Sequence, residues 1–282
     1  MYIPNANSVG EITNEEGAMA AVKQIDILDH FMGMEPEPSL EEDREPFKFV
    51  PDRLKTAKLC LEAIKKYGSA LEYVPENLKT VELCLEAVKR NGMALEYVPE
   101  KLKTAELCLE AAKQNCLAFR YVPENLMTLE LCFEAVKQNA WAINYVPENL
   151  KTVEICLEAV KHEGFALRFV HDELKTAELC FEAVKQNGWA LKHVPENLTT
   201  AELCLEAVNK DGKALQFVPD KLKTAELCIE AVKQNGWSLY FVPDELKTVE
   251  LCIEAVKEDD DVLRYVPEGL RDEVFRRIKG GR

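Results

Sequence analysis

The sequence predicts an all-α solenoid of nine to ten short helical repeats with a cap at each end. Three observations predict it. From Phe49 to Arg264 a 24-residue phrase recurs nine times without insertion or deletion, and a tenth, degenerate copy, YVPEGLRDEVFRRIKGGR, closes the chain. Within a copy such as YVPENLKTVELCLEAVKRNGMALE, Tyr73 to Glu96, the apolar residues follow a helical period. A unit this short cannot bury its own apolar surface, so each copy must cover its neighbours. The expected organisation is therefore a leader over residues 1–48, nine repeats over 49–264 and a capping repeat over 265–282.

The leader opens a helix at Asn14, an N-cap residue followed by Glu15 and Glu16 where the helix dipole favours anions. Ala18, Ala21, Val22, Ile25, Leu28 and Met32 then form a helical stripe, and Gly33 ends it. Such a stripe suits a capping helix over the open end of the first repeat, and a partner-binding helix is the competing account. Pro36, Pro38 and Pro46 bracket an acidic stretch, EPEPSLEEDREPF, which reads as an extended linker.

In the copy that begins at Tyr73, Thr80 is placed as the N-cap of a longer helix, with Glu82 in its first turn. Asp272 stands at the equivalent place in the degenerate copy and is expected to cap in the same way. Val81, Leu83, Cys84, Leu85, Ala87 and Val88 make nearly every side of this helix apolar, which predicts a helix enclosed between two neighbours. Gly92 is expected to end it in a left-handed conformation. MALEYV then forms a short second helix with Ala94, Leu95 and Val98 inward, and Pro99 opens the next turn. The product is a compact αα-hairpin.

The run V-P-[ED]-x-L-K-T-x-E-L-C-[LFI]-E-A-V-K, followed over residues 49–282, resembles the short helical repeats of a domain family of unknown function. The resemblance implies an all-helical repeat with no known activity, and no catalytic residue can be carried over from it.

Charge and composition exclude several function classes. The net charge is −15, of which the leader carries −8 (eleven acids, three bases) and the tail +2, leaving about one negative charge per repeat. This balance argues against binding a nucleic-acid backbone, which needs a basic track. No apolar run reaches the roughly 18 residues of a membrane span, and the N-terminus lacks the pattern of a signal peptide. With ten cysteines and no secretion signal, a cytoplasmic protein with reduced thiols is expected.

Nine cysteines recur every 24 residues: Cys60, Cys84, Cys108, Cys132, Cys156, Cys180, Cys204, Cys228 and Cys252. Each lies mid-helix between large apolar residues, with no second Cys or His at ligand spacing. Tight packing is expected of them, with a metal-binding or thiol-redox role as the alternative. Cys116 occupies a glycine position and is the candidate reactive thiol. His30, His162, His171 and His193 fall at unrelated positions, so no metal site, cofactor or catalytic residue is assigned.

The copies differ most at two places on the short helix, directly after the glycine and three residues later. The first place holds Trp141, Phe165, Trp189 and Trp237; the second holds Arg120, Arg168, Lys192, Tyr240 and Arg264. At i and i+3 they share a face, and aromatics and arginine are the residues enriched in binding hot spots. Two accounts stand open. Either each Trp packs over its neighbour's short helix, or these nine residues form the face by which a non-enzymatic scaffold binds a protein or peptide. Stacking of single-stranded nucleic acid is disfavoured by the overall acidity.

Overall fold

The computed structural model describes residues 14–20, 22 and 46–280. Among these residues there is no strand, and the chain is an all-α repeat protein. No described helix is long and apolar enough to cross a membrane. The contacts divide the chain into two compact units, Met1–Tyr145 and Val146–Arg282, and the division falls at the boundary between the fourth and fifth copies.

Each copy is built alike in both units. A single 3-10 turn, Glu76–Leu78 in the second copy, leads through extended Lys79 and Thr80 into the ten-residue α-helix Val81–Arg90. A six-residue 3-10 helix, Gly92–Tyr97, follows. The capping expectation holds for the repeats: the Thr80 hydroxyl accepts from the Leu83 amide at 3.2 Å, and the threonines from Thr56 to Thr248 repeat this bond. The longer helix buries Leu83, Cys84, Ala87 and Val88, and the short one buries Ala94, Leu95 and the following Val98, as expected. Each large side chain removed from water in this way contributes roughly 1.5–3 kcal/mol.

Four expectations need correction. The longer helix is not enclosed on all sides: Val81, Leu129, Phe133, Val153, Phe181 and Leu205 are surface residues, because burial follows the four positions that face neighbouring helices and spares the first and fifth. Gly92 does not adopt a left-handed conformation. It is needed for close approach, since a Cβ there would lie 2.5 Å from the carbonyl oxygen of Ala111 in the next copy. The turn itself is made by Asn91, whose side chain accepts from the Met93 amide at 3.0 Å and so caps the 3-10 helix.

Asp272 is not an N-cap either. The degenerate copy runs as one helix from Glu268 to Gly280, with Asp272 inside it. The preceding residue also differs from the repeats. In the repeats, the lysine before the capping threonine is buried and clasps the end of the short helix, 18 residues on: Lys79 Nζ donates to the Tyr97 carbonyl and to Glu76, both at 2.9 Å. Lys55, Lys103, Lys151 and Lys175 make the same pair of bonds. The backbone here is extended with the clasp and also without it, as at Thr199. Arg271, at that place in the last copy, instead donates back to the carbonyls of Val266 and Arg264, and the helix continues through it.

The leader is described in part. Asn14 caps as expected, its Oδ1 accepting from the Gly17 amide at 2.8 Å, and Ala18 and Val22 are buried. Ala21, Ile25, Leu28, Met32 and Gly33 lie outside the described residues. The end of the expected linker departs from prediction. Pro46–Phe49 is a 3-10 helix that packs on Gly68–Tyr73 and buries Phe47, at the place the repeats give to leucine.

Candidate recognition face

The variable positions are set by the 3-10 geometry of the short helix. At three residues per turn, residues i and i+3 eclipse, so the place after the glycine and the place three residues later stand one above the other. Ala, Leu and Val on the opposite side anchor the helix in the core. The face is thus held on a rigid base.

In the first unit the face carries Arg120 and Trp141. The Arg120 guanidinium lies 5.0 Å from the Tyr121 ring, and Trp141 is 37% exposed. Acid–phenol contacts fill the rest of the face. Glu96 bonds the Tyr121 hydroxyl and raises its pKa, while burial followed by Glu72 raises that of Tyr97.

In the second unit the face carries ring contacts between neighbouring short helices. Phe165 meets His193 edge-on at 4.9 Å, Trp189 meets Phe217 at 5.4 Å, and Trp237 meets Tyr265 at 5.9 Å. The indole N–H groups are also anchored to the next copy: Trp189 Nε1 donates to Asp211 at 2.6 Å and Trp237 Nε1 to Asp259 at 2.8 Å. For Phe165, Trp189 and Trp237, packing over the neighbouring short helix is therefore a fact of the fold. It does not consume them. Trp189 keeps 36% of its surface exposed, and Tyr240, against Phe241 and Tyr265, keeps 61%.

The arginines of this face lie on rings. Arg168 stacks over Phe165 and Phe169 at 5.6 and 5.0 Å, and Arg264 over Trp237 and Tyr265 at 4.8 and 5.1 Å. Arg168, Lys192 and Arg264 are exposed and pair with no carboxylate among the described residues. His193, beneath Arg168 and Lys192, has its pKa pushed down by burial first and then by Lys175, Lys192 and Arg168, and its Nε2 is buried without a partner.

Sequence reasoning missed the anchoring acids and the clasping lysines. Asp211 and Asp259 replace the Asn of other copies at the turn, a one-letter change that signals an added acceptor for the tryptophan of the preceding copy. The lysines repeat in seven of the nine copies, but a lysine in a polar loop gives no sign of burial.

The nine repeated cysteines are all buried, and burial raises their thiols, that of Cys156 to about 11. Cys116 is half-buried and its thiol is also raised, by desolvation above all, so it lacks the lowered pKa of an activated thiol. Among the described residues no three His, Cys, Asp or Glu side chains converge on a point that could hold a metal ion.

Comparison with known proteins agrees with this architecture. No curated protein matches the chain. A family model described as a domain of unknown function, DUF4116, matches residues 39–79, 56–103, 80–127, 104–151, 128–175, 152–199 and 200–247, stepping along the repeats. These matches run across most of the molecule, and the chain belongs to the DUF4116 family.

Proposed function

We propose that this protein is a non-enzymatic, cytoplasmic scaffold that binds a protein or peptide along the short-helix face. The observation that carries the reading is the exposure of Tyr240, Trp189, Arg168 and Arg264 on a base of ring contacts. Hot spots combine aromatic and arginine side chains with a preorganised setting, because ordering them beforehand lowers the entropy lost on binding. The residues that vary from copy to copy lie on this face, while the buried positions stay nearly constant.

Site-directed photocrosslinking in the source cell tests the reading. A photoreactive phenylalanine replaces Tyr240 on the short-helix face or Leu205 on the outer side of a longer helix. A discrete protein crosslink from position 240, absent from position 205 and lost when Trp189 and Arg168 are also changed to Ala, is the expected result. Crosslinks from 205 alone overturn it.

A further inference from the structure

Deepening that reading, and resting on it, we infer that the second unit's short-helix face selects an extended segment bearing carboxylates at about every third residue. The argument begins with Arg168, Lys192 and Lys213. These lie on three consecutive short helices, Gly164–Phe169, Gly188–His193 and Gly212–Phe217. None of the three pairs with a carboxylate among the described residues.

The nearby acids are already engaged. Asp211 accepts from Trp189 Nε1 and from the Lys213 amide, and Glu163 accepts from the Phe165 amide. Three cations, Arg168, Lys192 and Lys213, stand against these two acids, a positive balance on a chain that as a whole carries −15. Burial first, and then Lys175, Lys192 and Arg168, oppose protonation of His193, which packs edge-on against Phe165 at 4.9 Å.

Shape and spacing select the ligand class. Arg168 lies flat on Phe165 and Phe169. A guanidinium stacked this way loses little freedom when its edge N–H groups take a carboxylate in a fork. Phe165 and Trp189 belong to the same short helices as Arg168 and Lys192, and Trp189 offers exposed ring surface to the residues between the acids. Packed helices sit roughly 8–10 Å apart, and a chain extended as polyproline II rises about 3.1 Å per residue with three residues per turn, so that every third side chain returns to the same side. Successive copies therefore meet every third residue of an extended segment. A nucleic acid would offer phosphates at a finer pitch, so a peptide with the pattern Glu-x-x-Glu-x-x-Glu is the occupant that fits.

The test uses the full chain, immobilised, and two peptide pools at low ionic strength, where surface charge acts at full range. One pool has Glu at every third position with the rest randomised; in the other, Gln replaces Glu. The expected result is retention of the Glu pool at least about tenfold above the Gln pool, equivalent to 1.4 kcal/mol. The difference should vanish in the variant Arg168→Gln, Lys192→Gln, Lys213→Gln, whose helicity is checked. Arg168→Lys should keep only part of it.

Equal retention of the two pools overturns the inference, as does a Glu preference that survives the triple variant or retention of neither pool. The recognition reading has its own readout in the crosslink from position 240. A crosslinked partner with no Glu preference sinks the acidic ligand alone, whereas no crosslink from that face sinks both.

Discussion

His193 shows how one residue changes the properties of a repeated position. Where other copies place Tyr or Phe, this copy has an imidazole packed against Phe165, with Nε2 buried and unpartnered. Burial and three nearby cations hold its pKa below the usual value. The folded protein therefore binds this proton less readily than the unfolded chain does. The stability associated with the neutral ring is fully present above the unfolded histidine pKa of about 6.5 and is lost as pH falls toward the depressed value. His193→Phe restores the ring without the titration. In denaturant melts, its advantage over the wild type should grow as pH falls from about 7 to about 5. A constant difference across that range would remove titration as its cause. Gly236 makes a second point at this scale. It is dictated by a neighbour's backbone, the Ala255 carbonyl, 2.5 Å from where a Cβ would stand.

At the scale of the element, the buried lysine ties the start of the longer helix to the end of the short one. Lys151 is only 5% exposed at its side chain, yet it bonds Glu148 at 2.6 Å and the Phe169 carbonyl at 2.9 Å, closing the hairpin of its own copy. Copies with Met127 or Thr199 at this place lack the ammonium, and Thr199 turns its hydroxyl to the Pro195 carbonyl instead. Lys151→Met should lower stability by about 1.5–3 kcal/mol, the usual worth of hydrogen bonds to a charged group. Glu148→Gln should cost less, because that carboxylate is half-exposed and its share of the pair is screened by solvent. Equal losses from the two would place the effect in the ion pair rather than the carbonyl clasp. The continuous helix Glu268–Gly280, where Arg271 bonds backward, is the natural variant of this element.

At the scale of the whole molecule, the repeated cysteines belong to the core of both units. With their thiols buried and raised, a thiol reagent should modify none of the nine in the native protein, and all of them once it is denatured. Cys116 alone should react natively, and slowly. Rapid native reaction of several thiols would revive the thiol-redox alternative. Each unit also has its own version of the variable face. Glu–Tyr contacts shape the first, Glu72 with Tyr97 and Glu96 with Tyr121. Ring contacts and cations shape the second.

By itself the sequence determined the repeat, the threonine cap, the buried stripe of each helix and the pair of positions that vary on the short one. These follow from local rules: a period of 24, the hydrogen-bonding habit of threonine and the periodicity of apolar residues. Tertiary structure alone decided what depends on atoms distant in sequence. Gly92 is small because Ala111 approaches it, Lys79 is buried because a carbonyl 18 residues away receives it, and Asp211 anchors Trp189 across a copy boundary. The boundary between units at Tyr145 leaves no mark in the 24-residue period. A repeat pattern specifies which neighbours must meet, whereas the distances at which their backbones and charges come to rest are set only when the helices pack.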